Sequence, residues 1–461
     1  MKLNLAQVST WLTSSFGSRV RIIARQTKFV QRISALGGQV FLQALVFGFL
    51  EKPVATLNDL AQVCLDLGVE ITPQGLDQRI NEATVVFLKA MLTQAMEQFK
   101  NNLPLPLPMV QQFSAIYLTD SSVLSLPPNM ADEYPGCGGD GPAASLKVQL
   151  TFDFLLGNLA QVVFQPGREP DQKYRDYLTA IQPGSLSITD LGYFCLDAFK
   201  AIMLERKAYF LSRFLMNTGL LCSEGEAFDL YAMLQNHPRQ TVELDVLLGK
   251  QVKYRLPCRL ICIPAPPAVA EQRRRKARET ARRKGRTPSK KHLAWMDWTL
   301  FITNVPASML SIKQIVLMYR VRWQIELVFK LWKSYCGLKR IAGVRRERVL
   351  VELYAKMIGI VLVHFLIAPL RMPQDPQANQ EISPVAVREI VKRFALDLNR
   401  SLVSGTLQDV LAEMLVHIQR FGFKEKRKKN PNVCHALALA SAMCGLEIGS
   451  DEEALVDQLL A

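Results

Sequence analysis

The sequence predicts a mixed α/β core held between helical segments, with a β-rich stretch set into that core. Three observations lead there. Between Phe113 and Phe214, strand-like apolar runs alternate with helical ones. Before about residue 100 and after about residue 346, the apolar spacing is helical. From Thr241 to Ile263, "TVELDVLLGKQVKYRLPCRLICI" reads as several strands.

At 461 residues the chain exceeds one ordinary core, so roughly two to four domains are expected. With 49% hydrophobic and 21% charged residues, the composition is that of a globular protein. A net charge of +15 points to a polyanionic partner, nucleic acid before an anionic membrane. The nine cysteines follow no metal pattern: Cys258 and Cys262 are four apart without a second pair, and Cys434–His435 stands alone. Their odd number and the lack of a signal-peptide pattern predict reduced thiols in the cytoplasm. The longest apolar run, Met357 to Leu370, has 14 residues and includes His364 and Pro369. A span needs about 20, so a buried helix and no membrane are expected.

In chain order, "LNDLAQVCLDLG" (Leu57 to Gly68) and "TPQGLDQRINEATVVFLKAML" (Thr72 to Leu92) are two expected helices. Thr72 serves as N-cap and Pro73 opens the first turn of the second. Around Gly68 they form either a helix-turn-helix or an ordinary helical hairpin. "NNLPLPLP" (Asn101 to Pro108) is a Pro-rich boundary. Strands follow: a run ending at Asp120, Ser145 to Phe154, and Ala160 to Gln165. A helical piece is expected near Tyr174 to Ala180, then a strand ending at Asp190, a helix from Cys195 to Lys207, and a strand from Ala208 to Phe214. After the β-rich stretch comes a basic run, with Arg273, Arg274, Arg275 and Lys276 at its start and Lys290 and Lys291 at its end. It reads as a phosphate-tracking segment or a solvated loop. "WTLFITNVP" (Trp298 to Pro306) returns to strand. The expected domains are 1–105 helical and DNA-binding, 106–214 core, 215–298 β-rich with a basic loop, 299–345 final core strand and helix, and 346–461 helical.

The run "YRVRWQIELVFKLWKS" (Tyr319 to Ser334) sets one carboxylate, Glu326, among Arg320, Arg322, Lys330 and Lys333. On a helix, Tyr319, Arg322, Glu326, Lys330 and Lys333 share about 80° of arc. Val321, Ile325, Val328 and Trp332 form a separate apolar face. Taken alone, an amphipathic helix with a Glu326–Lys330 pair accounts for this. The context changes that reading, because Asp120 precedes Ser121 and Ser122 at an expected strand end and Asp190 precedes the Gly192 turn at another. Three carboxylates so placed can hold two divalent cations, since Mg²⁺ takes oxygen ligands and shares them with phosphates. Two such ions serve phosphoryl transfer. Arg322, Lys330 and Lys333 would hold a nucleic-acid backbone beside them. Asp132, Asp140, Asp153 and Asp197 combine no strand end with a motif and are read as structural.

"YLTDSS", "ITDLGYF" and Tyr319-x2-Arg322-x3-Glu326-x6-Lys333 resemble the three motifs of the DDE transposases of bacterial insertion sequences. The last resembles the signature of the insertion-sequence-four family, which includes the transposon-Five enzyme. The resemblance covers about 106–345, and "YFLSRF" and "ITNVP" look like its framework segments. It implies a ribonuclease H-like mixed sheet with a β-rich insertion, flanked by all-α N- and C-terminal domains. It implies cut-and-paste transposition by hydrolysis, hairpin formation and strand transfer. Asp120, Asp190 and Glu326 would hold two Mg²⁺ ions, with Mn²⁺ able to substitute. Tyr319, Arg322, Lys330 and Lys333 would grip the DNA backbone, and Trp298 would capture a flipped base, with Trp295 or a plain core tryptophan as alternatives. The implied partners are double-stranded DNA, as terminal inverted repeats and as target, and a second copy in a homodimeric synapse. The implied location is a bacterial nucleoid. The alternatives are a catalytically inactive, transposase-derived DNA-binding protein or repressor, and a nuclease with the same metal site.

Overall fold

The computed structural model describes residues 5–424 except 33–34, 99, 101–103, 106, 228, 237–238 and 372–381. The chain forms two compact units. The expected linker at Asn101 to Pro108 lies partly outside the described residues, and the end of the expected C-terminal domain lies wholly outside them, with Cys434 and His435.

The first unit takes its described residues from before 106, from Ser121–Glu169, and from Ile325 onward. Its centre is the helix Arg346–Ile367, packed on Gly38–Glu51 and Glu82–Gln98. With the turn that follows, this helix is long and apolar enough to cross a membrane by length and composition, yet 94% of its most apolar window is buried inside the protein. Buried residues on nearly every side make it a core helix. The unit also holds the hairpin of β2 (Ala144–Asp153) and β3 (Asn158–Pro166).

The helical signals near the N-terminus behave as expected at their starts. Thr56 caps Leu57–Asp66 in a reciprocal box with Asp59, and the Thr72 hydroxyl accepts the Gly75 N–H. The segment Thr72 to Leu92 is not one helix, however. Pro73–Gln78 stops, and Glu82–Gln98 starts afresh. Asn81 stands at the break: its Oδ1 accepts the Thr84 N–H at 3.3 Å, and its carbonyl accepts the N–H groups of Thr84 at 3.0 Å and Val85 at 3.1 Å, opening the second helix. Val85, Phe87, Leu88, Met91 and Leu92 on the second piece are buried.

The second unit includes Leu107–Asp120 and Pro170–Gln324. Its sheet runs β1 (Ile116–Leu126), β4 (Leu186–Thr189), β5 (Tyr209–Arg213), β9 (Trp298–Thr303), β8 (Leu256–Pro264), β7 (Val242–Leu248), β6 (Leu220–Cys222). The pairs β1–β4 and β4–β5 are parallel, and all the others are antiparallel. The β-rich stretch therefore continues the sheet edge through β8, β7 and β6. Asp120 does not end its strand: β1 runs on to Leu126, but its pairing with β4 stops at Thr119↔Thr189. The expected helix at Tyr174 to Ala180 is only a short 3₁₀ turn, Asp176–Thr179.

The basic run is a helix rather than a loop. Pro267–Arg283 has Pro267 in its first turn. The alanines among its arginines favour helix, and Glu271 accepts from Arg274 and Arg278 along one side.

Candidate active site

The site rests on a register. Thr119 of β1 pairs with Thr189 of β4, and Ile188 of β4 with Leu211 of β5. Asp120 and Asp190 each follow the last of the β1–β4 pairs, and Arg213 lies two residues beyond Leu211 at the end of β5. In parallel strands, residues in register point to one face, with neighbouring strands about 4.8 Å apart. Thr119 and Thr189 are buried, while Asp120, Asp190 and Arg213 are partly exposed. The carboxyl ends of parallel strands are where open α/β sheets bind ligands.

Asp190 has extended backbone and caps the turn Leu191–Tyr193, its Oδ1 accepting the Gly192 N–H at 2.8 Å. Gly192 suits this turn because a Cβ there would stand 3.0 Å from that oxygen and 3.6 Å from Asp171 Oδ2. Asp171 thus brings a second carboxylate to the Asp190 turn. It carries no motif and was not legible in the sequence.

Over these strand ends lies the helix Ile312–Val321, which Arg322 continues in helical conformation. Arg322 Nη1 approaches Asp120 Oδ2 at 3.5 Å, both side chains largely buried, and its guanidinium lies 5.9 Å from the Tyr319 ring centre. The Tyr319 ring packs on Phe301. Burial pushes the Tyr319 phenol above its ordinary value; Arg322 and Arg213 pull it down, and Asp190 pushes it up. Tyr319 therefore keeps its proton near neutrality and shares the field of Asp190, Arg322 and Arg213. Arg213 was missed as a site residue, although it ends the strand in "FLSRF".

Glu326 is in Trp323–Lys330, one turn beyond Arg322 and partly exposed. Val321, Ile325 and Trp332 are buried as the apolar face requires. Lys330 is exposed. Lys333, in a π-turn closing the helix, donates to Ser122 Oγ at 3.1 Å and to the Val123 carbonyl at 3.4 Å, two and three residues past Asp120.

The tryptophans divide by exposure. Trp295 and Trp298 are both buried; Trp295 packs on Tyr231, and the Trp298 carbonyl accepts from Arg273. Trp323, next to Arg322, is 56% exposed. Arg273 and Arg274 anchor their helix: Arg273 also donates to Thr299 Oγ1 at 3.1 Å, and Arg274 pairs with Glu271 and Asp297. Arg275 and Lys276 face solvent.

Among the described residues no three His, Cys, Asp or Glu side chains stand close enough to hold a metal ion by themselves. Aspartate pairs still suit Mg²⁺ or Mn²⁺, which take one or two carboxylates and complete their shell with water and substrate phosphates. Cys258 and Cys262 are buried in β8, and burial pushes both thiols up to about 12.

The chain is similar to transposases along its length. It is 26% identical over 472 residues to the transposase for insertion sequence element IS231E of Bacillus thuringiensis subsp. finitimus, covering 97% of each chain. Against the transposase for insertion sequence element IS1151 of Clostridium perfringens it is 26% identical, over 95% of this chain and 97% of the relative. A cryo-EM structure of a piggyBac transposase synaptic complex with hairpin DNA aligns over 91% of this chain and 86% of that one, at 10% identity and a TM-score of 0.47. The sequence pattern of the transposase DDE domain matches residues 111–362, more than half of the 461. By that match, the chain belongs to the transposase DDE domain family.

Proposed function

We propose that this protein catalyses cut-and-paste transposition of an insertion sequence, as a member of the insertion-sequence-four group with a ribonuclease H-like core. The observation that supports the reading is that Asp120 and Asp190 each follow the last β1–β4 pair, Thr119↔Thr189, and that Arg322 Nη1 lies 3.5 Å from Asp120 Oδ2. Glu326, one helical turn from Arg322, is the third carboxylate. DDE domains work with divalent metal. In this reading Asp120, Asp190 and Glu326, with water and substrate phosphate completing the shell, would hold two Mg²⁺ ions, replaceable by Mn²⁺, which would supply Lewis acidity.

The chain's own groups supply the rest. Arg322, Tyr319 and Lys333 hold the strand's phosphates, and Arg213 adds a cation at the same strand ends. Arg322 Nη1 lies 3.5 Å from Asp120 Oδ2, so a backbone phosphate entering the site competes for that guanidinium. In this reading the Tyr319 phenol hydrogen-bonds a phosphate oxygen beside the Arg322 guanidinium. Hairpin formation unstacks a terminal base, and an aromatic face offsets about 1–3 kcal/mol of that cost. The resemblance gives this task to Trp298, which would first have to leave its buried place. Two copies joined through their C-terminal helices would hold two inverted-repeat ends and the target.

The test is a gel separating nicked, hairpin and fully cut ends of a plasmid carrying the element, with Mg²⁺, Mn²⁺ or chelator. Cleavage at the element's ends with either metal, and none with chelator, is expected. Specific binding without cleavage under either metal would make the protein a repressor instead.

A further inference from the structure

A buried ion pair lies outside the site. Glu352 and Lys356 are one turn apart on the core helix Arg346–Ile367, paired at 2.6 Å with side chains 3% and 1% exposed. Burying two charges costs several kcal/mol, and an apolar pair of like volume is often as stable or more so. Here the pair holds a loop. The Glu352 carboxylate accepts the Ala342 N–H at 3.1 Å and the Gly343 N–H at 3.2 Å. The Lys356 ammonium donates to the carbonyls of Gly337, at 3.4 Å, and Arg340. Four backbone groups of an irregular segment are thus satisfied by two side chains. The loop is fixed at its start too. Gly337 has φ +69°, a Cβ there would stand 2.4 Å from Pro53 Cβ, and Leu338 N–H donates to the Trp332 carbonyl at 2.9 Å.

A rigid loop presents something. Lys339 and Arg340 are exposed at its tip, and neither side chain has a carboxylate partner among the described residues. The arginines just after the loop are different: Arg345 pairs with Asp77, Arg346 with Glu82 and Glu133, and Arg348 with Asp77. The tip also begins only six residues beyond Lys333, which holds β1 next to Asp120.

We propose that the Gly337–Gly343 loop is a preformed phosphodiester-binding element, in which Lys339 and Arg340 hold the backbone of end DNA and Glu352 and Lys356 are positioning residues. This deepens the transposase reading and rests on it. The probes are a duplex carrying the element's own terminal repeat and a random duplex of equal length. Lys339→Ala/Arg340→Ala should bind both several-fold more weakly, with a salt slope reduced by about one to two and an unchanged Tm. Glu352→Leu/Lys356→Leu, which exchanges the ion pair for apolar bulk, should lose the same affinity. Combining all four changes should cost no more than either pair alone, a coupling that a purely structural role for the ion pair would not produce. Wild-type affinity and salt slope in Lys339→Ala/Arg340→Ala would overturn the proposal, and this surface variant folds whatever becomes of the core pair. Additive losses in the combined variant would remove the positioning role. Cleavage by the unaltered protein, run in parallel, keeps these outcomes distinct from failure of the transposase reading.

Discussion

The Asp190 Oδ1 accepts the Gly192 N–H, so in the proposed site Oδ2 is the oxygen it would offer a cation. An asparagine keeps an oxygen for that cap and loses the charge. Asp190→Asn should therefore melt within about 1 °C of wild type, since the cap itself is worth only about 1 kcal/mol, yet cleave no DNA. A large fall in Tm would mean that Asp190 is chiefly a structural cap. The tryptophans make a second contrast at this scale. Trp298 is buried, so Trp298→Ala should cost about 3–5 kcal/mol by loss of packing. Trp323 is exposed beside Arg322 and can stack on a base without rearrangement. Trp323→Ala should leave the first nick intact and slow the hairpin. Normal stability with hairpin loss in Trp298→Ala would return base capture to Trp298.

At the scale of elements, the sequence showed what depends on local pattern and hid what depends on pairing. The strands carrying Asp120 and Asp190 and the amphipathic face of the Glu326 helix were legible, because apolar period and turn residues are local signals. The continuation of β1 past Asp120 was not, since Ser121 and Ser122 look like a turn until a neighbouring strand is known. Arg213 and Asp171 enter through register and through the packing of a 3₁₀ turn, neither of which has a sequence period. The basic run misled because its charge outweighed its alanines. Its two sides now have separate tests. Arg275→Ala/Lys276→Ala should flatten the salt dependence of binding without changing Tm, whereas Arg274→Ala should lower stability by about 1 kcal/mol through its lost carboxylate partners. Equal effects of the two on DNA binding would show that the whole run contacts phosphate. In the β2–β3 hairpin, Asp153 is buried and its carboxyl rises to about 6 despite accepting the Leu156 N–H. The folded state thus favours the protonated form. Stability should be greatest below about pH 4 with respect to this group, fall as pH rises through about 6, and stay flat above. Asp153→Asn should abolish that fall and be more stable at pH 7 by on the order of 2 kcal/mol. Urea titrations across this range will show it, and an unchanged profile would contradict the burial argument.

For the whole molecule, a net charge of +15 and a helix on which Arg275 and Lys276 face solvent should make DNA affinity strongly dependent on salt. In the proposed reading the chemistry hangs on Asp120, Asp190 and Glu326, which the chain order separates widely; among the described residues no three such side chains stand close enough to hold a metal ion by themselves. The direct measurement is Mg²⁺-dependent end cleavage by Asp120→Asn, Asp190→Asn and Glu326→Gln, each at DNA concentrations where a parallel gel shift shows full binding. All three should bind ends and cut none, in Mg²⁺ and in Mn²⁺ alike. Measurable metal-dependent cutting by any one of them, with binding intact, would remove that residue from the site and contradict the assignment.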